Sequence, residues 1–178
     1  MNEPGPRKRR LFVGIALEDR PRAACAAVAE EVRRTGLAAK YEAPEKLHAT
    51  LAFLGFVEAS RVEETRAALT SCAQRSTPFS VTLDKLGAFP HEAGPRVVYI
   101  GAREQGPSFR TLAADVRDAY DALGFEFHDD AVAHVTIARV KESKRPLPLV
   151  DFEPIALEIR ELSLFESLPD PAKKTSRY

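Results

Sequence analysis

Apolar positions along this chain fall into short blocks whose spacing alternates between the period of a strand and that of a helix. Leu11-Phe12-Val13-Gly14-Ile15-Ala16-Leu17 is a short apolar run of strand length. Pro21 then opens a segment with Ala24, Val28 and Val32 at helical spacing, which Thr35-Gly36 ends. Leu47 to Leu54 reads as a strand with His48, Thr50, Ala52 and Leu54 on one face, Leu51 and Phe53 on the other, and Gly55 closing it. Glu58 to Gln74 follows as a helix with an apolar stripe through Val62, Ala67, Ala68 and Leu69, and Phe79-Ser80-Val81-Thr82-Leu83 begins another strand. The first half therefore reads β-α-β-α-β.

The second half repeats the opening order. Val97-Val98-Tyr99-Ile100-Gly101 is a strand, Ser108 to Leu123 a helix ended by Gly124, and His134-Val135-Thr136-Ile137-Ala138 a strand. Leu11 to His48 spans 37 positions (48 − 11), and Val97 to His134 again spans 37 (134 − 97). The stretch from Phe79-Ser80-Val81-Thr82-Leu83 to Phe89 lies on that from Ile155-Ala156-Leu157-Glu158-Ile159 to Phe165, while the region of Pro146 and Pro148 replaces a helix as long as Glu58 to Gln74. The expectation is one α+β domain over residues 1–178, with internal pseudo-two-fold symmetry. Two lobes, about 10–90 and about 96–167, share one core and meet across a central cleft, with terminal segments 1–9 and 168–178.

Composition narrows the function classes. A chain of 178 residues that is 44% hydrophobic can close a core without metal or disulfide staples. Cys25 and Cys72 lack Cys-x-x-Cys spacing and read as buried free thiols, compatible with a reducing compartment. The polar start, with Arg7-Lys8-Arg9-Arg10 as a solvated tail into the first strand, precedes no long apolar run, so neither a secretory signal nor a membrane span is expected and the protein reads as cytoplasmic. Lysine plus arginine equals aspartate plus glutamate, 26 against 26, so no global field holds long nucleic acid. Any such contact is local, such as one strand end in a cleft.

The candidate chemistry lies in the two repeated strands. Strand positions i and i+2 share a face, so His48 with Thr50, and His134 with Thr136, each present an imidazole beside a hydroxyl. If the strands are neighbours, two imidazoles and two hydroxyls converge on one volume, a plausible phosphate pocket. Phosphodiester hydrolysis needs a proton taken from water and one given to the leaving oxygen, and imidazole, with a pKa of about 6.5, serves both roles near neutrality. The threonine hydroxyls would hold non-bridging oxygens. Either histidine alone is better read as a hydrogen-bonded core residue, but a structural accident has no reason to recur at equal spacing. A zinc site is the weaker chemical reading, because neither His-Glu-x-x-His nor a cysteine cluster is present. Phosphate-binding loops of the Gly-x-x-x-x-Gly-Lys-Ser/Thr and Gly-x-Gly-x-x-Gly types are absent, as is Gly-x-Ser-x-Gly.

Tyr41-Glu42-Ala43-Pro44-Glu45-Lys46-Leu47-His48-Ala49-Thr50-Leu51-Ala52-Phe53-Leu54-Gly55, with His134-Val135-Thr136-Ile137-Ala138-Arg139, resembles the RNA 2′,3′-cyclic phosphodiesterases, also called 2′-5′ RNA ligases, of the two-histidine phosphoesterase superfamily. The resemblance runs from Arg10-Leu11-Phe12-Val13 through Phe89-Pro90 to Leu164-Phe165-Glu166-Ser167 and Tyr178. It implies hydrolysis of a 2′,3′-cyclic phosphate to a 2′-phosphate without metal or nucleotide cofactor, with reversible joining of tRNA halves in some members. His134 would be the base that activates water, His48 the acid that protonates O3′, and Thr50, Thr136 and Arg139 the phosphate-binding groups. The implied partner is an RNA end, not DNA or a membrane, met by a monomer. Two departures stand out: Ala133 where the family usually has proline, and Lys40-Tyr41 where it commonly has arginine and tryptophan. Tyr41 would line the cleft, stack a base or sit in the core. Phe56, Phe89 and Phe127 would each stack a base or be buried, with burial favoured, and His91 and His128 read as loop or rim residues. Other readings of the same residues are a phosphodiesterase acting on a small cyclic nucleotide or ADP-ribose cyclic phosphate, and a non-catalytic RNA-end binding protein.

Overall fold

The computed structural model describes residues 8–128, 131–141, 145–170 and 175–177; Arg7 lies outside this range. Lys8–Ala16 forms β1, and α1 (Asp19–Arg34) follows, burying Pro21, Cys25, Val28, Ala29 and Val32 along one stripe. Pro21 sits in the first turn, where its missing N–H has no helical partner to lose, and Gly36 takes the left-handed conformation, φ +83°, just past the helix end. After β2 (Lys40–Tyr41) and β3 (His48–Glu58), a short 3-10 turn at Ala59–Arg61 leads into α2 (Val62–Arg75). The buried stripe of α2 is Val62, Thr65, Leu69 and Cys72. Of the expected stripe Val62 and Leu69 are buried and Ala68 packs against the core, but Ala67 is exposed and Thr65 turns inward in its stead, its hydroxyl donating to the Val62 carbonyl at 2.7 Å.

Then come β4 (Phe79–Leu83), β5 (Lys85–Phe89), β6 (Val97–Gly101), α3 (Gly106–Asp121), β7 (His134–Arg139), β8 (Ile155–Ile159) and β9 (Ser163–Glu166), with β10 (Leu168–Asp170) pairing β11 (Thr175–Arg177). The main sheet has the order β5-β6-β7-β3-β1-β9, with β2 also on β7, and every pairing in it is antiparallel. It is an α+β, two-lobed arrangement whose centre is the β7–β3 contact. The third strands trade places: β5, from the first half of the sequence, pairs β6, while β9 pairs β1. Their predecessors β4 and β8 pair each other, Phe79 with Ile159 through Leu83 with Ile155. Helix packing also crosses over, α1 lying against β7 and β8, and α3 against β3 and β4.

The registers refine the repeat. Phe12 pairs Phe53 and Val97 pairs Arg139, so Val97 is the counterpart of Phe12, not Leu11. Counted that way, the first half spans 36 positions (48 − 12) and the second 37 (134 − 97), one residue more. Each histidine strand also carries an extra residue against its partner, Leu51 between the Gly14–Thr50 and Val13–Ala52 pairs, and Ile137 between the Tyr99–Thr136 and Val98–Ala138 pairs. These two residues, both buried, shift the alternation of everything that follows them. The expectation that Phe53 faces away from His48 is overturned for that reason. Gly55 does not close the strand either. At φ +71° it follows a second irregularity, and β3 continues to Glu58. Nor are Lys8, Arg9 and Arg10 a solvated tail; they pair with Glu58, Val57 and Phe56 as the start of β1.

Gly14 lets β1 approach the histidine strand closely, since a Cβ there would sit 2.5 Å from the Ala49 carbonyl oxygen. Gly14→Ala is expected to force the two backbones apart and lower unfolding free energy by about 1–3 kcal/mol, the usual range for overpacking, measured by urea denaturation. An unchanged midpoint would show that the strands give way freely.

Candidate active site

The site begins with one backbone pairing. Ala49 of β3 lies opposite Val135 of β7, so antiparallel register places Thr136 across from His48 and His134 across from Thr50. The two imidazoles are then diagonal neighbours, typically about 7–8 Å apart at Cα. Ala49, Leu51, Val135 and Ile137 are buried beneath them, while His48, Thr50, His134 and Thr136 are half-buried and line one cleft of about 980 Å³. The four residues singled out by the strand periodicity are brought together.

Each ring is oriented by its own backbone. Nδ1 of His48 lies 2.6 Å from the Lys46 carbonyl oxygen, and Nδ1 of His134 lies 2.7 Å from that of Val132. A carbonyl only accepts, so in each ring Nδ1–H donates and Nε2 is the position that exchanges protons. Burial is the main influence on both, pushing each imidazole below its ordinary pKa of 6.5. For His48 the Lys46 carbonyl and Glu42 oppose this, whereas Arg139 and His134 add to it; for His134 the Val132 carbonyl opposes and Arg139 adds.

Aromatic rings supply the burial. Phe12 and Phe165 stack at 4.8 Å and flank His48 at 4.8 and 5.4 Å. Phe89 and Tyr99 stack at 4.5 Å and meet His134 edge-on, each at 5.4 Å. Phe89 and Phe165 occupy equivalent places, on the outer strands β5 and β9, so the strand exchange gives each histidine a wall from the other half of the chain. Tyr99 lies flat because its cross-strand partner is Gly87, where a Cβ would fall 2.5 Å from the ring.

Arg139 also lines the cleft, its Nε donating to Glu42 at 3.1 Å. Glu42 is largely buried beside exposed Arg139, so the carboxylate holds the guanidinium by its Nε edge. Tyr41, expected as possible cleft lining, is not among the cleft residues: its hydroxyl donates to the Leu37 carbonyl at 3.1 Å and its ring lies 4.6 Å beneath the Arg33 guanidinium. Phe56 is neither buried nor part of the cleft wall. Phe89 is in the wall, and Phe127 is away from it under Arg117. His91 and His128 are exposed in loops, His91 accepting from Gly94 N–H in a turn. Among the described residues, no group of three or more histidine, cysteine, aspartate or glutamate side chains is placed to hold a metal ion.

With two histidine-threonine strands facing each other over one cleft, comparison with known proteins becomes informative. The model of the LigT-like phosphoesterases matches twice, over residues 15–99 and 100–173. The chain belongs to the LigT-like phosphoesterase family. It is similar to the RNA 2′,3′-cyclic phosphodiesterase of Archaeoglobus fulgidus, 37% identical over 135 residues that cover 74% of this chain and 73% of the relative. A Thermotoga maritima protein of the same name is 26% identical over 166 residues, covering 91% and 88%. Among solved structures, a Thermus thermophilus protein superposes with TM-score 0.82 at 28% identity, covering 95% and 93%, and the Escherichia coli LigT complex with 3′-AMP with TM-score 0.73 at 27%, covering 97% and 94%.

In this LigT-like phosphoesterase the cleft residues Phe12, Phe53 and Arg10, the rings of Tyr99 and Phe165 behind the histidines and the brace Glu42 escaped the sequence reading. Ala133, where the family usually has proline, has a use of its own: its N–H donates to Gln105 Oε1 at 2.7 Å, a bond proline cannot make, and so ties the histidine strand to the start of α3. Gln105→Ala leaves that N–H without its acceptor and is expected to lower stability by about 1–3 kcal/mol, read by urea unfolding; no change would mean water replaces the amide. Two histidine ring resonances are expected to titrate with midpoints below 6.5, one vanishing in His48→Ala and the other in His134→Ala. A midpoint above 6.5 for either would contradict its burial.

Proposed function

We propose that this LigT-like phosphoesterase hydrolyses 2′,3′-cyclic phosphate ends of RNA to 2′-phosphates, with His48 and His134 as proton carriers and no metal ion. The observation that carries the reading is the register at Ala49 and Val135, which sets two carbonyl-oriented imidazoles and two hydroxyls on one face. The names of the curated relatives, RNA 2′,3′-cyclic phosphodiesterases, support the choice of reaction and substrate.

In this mechanism His134 Nε2 takes a proton as water attacks phosphorus. The P–O3′ bond breaks, and His48 Nε2–H gives its proton to O3′, leaving a 3′-hydroxyl and a 2′-phosphomonoester. Thr50 and Thr136 donate to the non-bridging oxygens, and the guanidinium of Arg139 balances their charge. A 5′-hydroxyl in place of water gives a 2′-5′ linkage, so the joining of RNA ends, tRNA halves included, is the same step with another nucleophile. The protein acts as a monomer in the cytoplasm, a setting that fits the buried free thiols of Cys25 and Cys72. No helix among the described residues is long and apolar enough to cross a membrane.

An RNA ending in a 2′,3′-cyclic phosphate, incubated with enzyme in EDTA, is expected to yield the 2′-phosphate; loss of turnover on chelation would overturn the metal-free scheme. His48→Ala and His134→Ala are each expected to lower kcat at least about 100-fold, and a loss below tenfold is too small for a proton carrier. Burial holds both free-enzyme imidazoles below 6.5, so one ring is protonated and the other neutral only under mildly acidic conditions. The pH profile of kcat/KM should therefore be a bell with its maximum below pH 6.5, falling on the acid side as His134 gains a proton and on the alkaline side as His48 loses one. A maximum above pH 7 would contradict burial as the influence that sets the titration of the two rings.

A further inference from the structure

Past the cleft, the β1–β3 ladder continues through three more pairs, Arg10 with Phe56, Arg9 with Val57 and Lys8 with Glu58. Phe53 and Phe56 are three residues apart, and on a regular strand they would point to opposite faces. Leu54 changes that. Phe12 pairs Phe53 and Leu11 pairs Gly55, leaving Leu54 as an extra residue that restores both phenylalanines to one face. Phe12 and Arg10, two apart on β1, belong to that face as well, and Leu11, Leu54 and Val57 are all buried. A line thus runs outward from His48: Phe53 beside Phe12, rings 5.8 Å apart, then Arg10 beside Phe56.

Phe12 is buried, but the two phenylalanines that β3 puts on this line are left in water, Phe53 at 61% and Phe56 at 72% of full exposure. Arg9 is drawn to Glu166 at 3.5 Å, whereas Arg10 lines the edge of the cleft and makes no ion pair among the described residues. Two aromatic platforms with a guanidinium beside the outer one supply what two bases and the phosphate that joins them need, and sites of this composition hold single strands without reading sequence. The balanced overall charge requires any grip on RNA to come from such a local path.

We infer that Arg10 and Phe56 form a second nucleotide subsite: Phe53 carries the terminal base, Arg10 holds the phosphodiester that joins it to the preceding nucleotide, and Phe56 stacks the preceding base. The inference rests on the RNA-end reading above and makes the protein selective for oligonucleotides over a cyclic mononucleotide. A groove for a protein partner is the other occupant this face would suit, but continuity with the phosphate cleft and the cation beside the outer ring favour RNA.

The test has two arms. In the first, kcat/KM is compared for a tetraribonucleotide ending in 2′,3′-cyclic phosphate and for the corresponding nucleoside 2′,3′-cyclic phosphate. Phe56→Ala is expected to lower the ratio of the two at least about fivefold, the smaller end of the range for losing one base–aromatic stack, with Phe56→Trp restoring it; an unchanged ratio overturns the subsite. In the second, a 5′-labelled tetraribonucleotide ending in 2′-phosphate is bound to the intact protein and followed by fluorescence anisotropy. Phe56→Ala should again weaken binding at least about fivefold, and Arg10→Ala should reduce the slope of log affinity against log salt by about 0.7, one phosphate contact to a single strand. Binding that both variants leave intact overturns the subsite even if the RNA is cleaved. Absence of turnover by wild type overturns the hydrolase reading, and the binding arm still decides the subsite.

Discussion

The whole arrangement depends on a single pair of backbone positions, Ala49 and Val135, where the two repeated strands meet. Residue 49 plus 86 is 135, the same offset that relates His48 to His134 and Thr50 to Thr136, so the pseudo-two-fold axis passes through that pair. An antiparallel contact on such an axis has an unavoidable outcome: whatever precedes the pair on one strand faces whatever follows it on the other. Each imidazole therefore has the opposite strand's hydroxyl as its neighbour, and slipping one strand by one residue against the other would turn its own imidazole and hydroxyl into the core and break up the foursome.

The surroundings then differentiate two chemically identical rings. Both Nδ1 atoms are tied to carbonyls two residues earlier, so the local geometry repeats. The walls do not: His48 sits by two phenylalanines and His134 by a phenylalanine and a tyrosine, and Glu42 acts on the charge of His48 but is not among the influences on His134. Burial weakens both as bases, while the nearby carboxylate favours the charged form of His48.

Much of this was legible in the chain because strand and helix periods are local. His48, Thr50, His134 and Thr136 share a face simply because they are two apart, and the stripe of α1 could be read as far as Val32. What escaped reading came from irregularity and from distance. The extra residue Leu51 reverses the alternation, so Phe53 belongs with His48 although its parity denies it. Phe165 reaches His48 from the far end of the sequence through the pairing of β9 with β1, and Glu42 reaches Arg139 across 97 positions. Tyr41 has the right sequence neighbourhood for a cleft residue, but β2 lies along the later part of β7, opposite Ala138, and its ring turns toward α1.

The exchange of third strands bears on motion. Opening the cleft like a clamshell would require one lobe to rotate against the other. The β4–β8 ladder ties the two halves of the chain together, and α1 and α3 each lie across the strands of the opposite half. Such a rotation would tear main-chain hydrogen bonds and lift packed helices at once. The gap between the histidines is accordingly a fixed gauge, and adjustment to a bound molecule falls to exposed side chains such as Arg139 and Phe53.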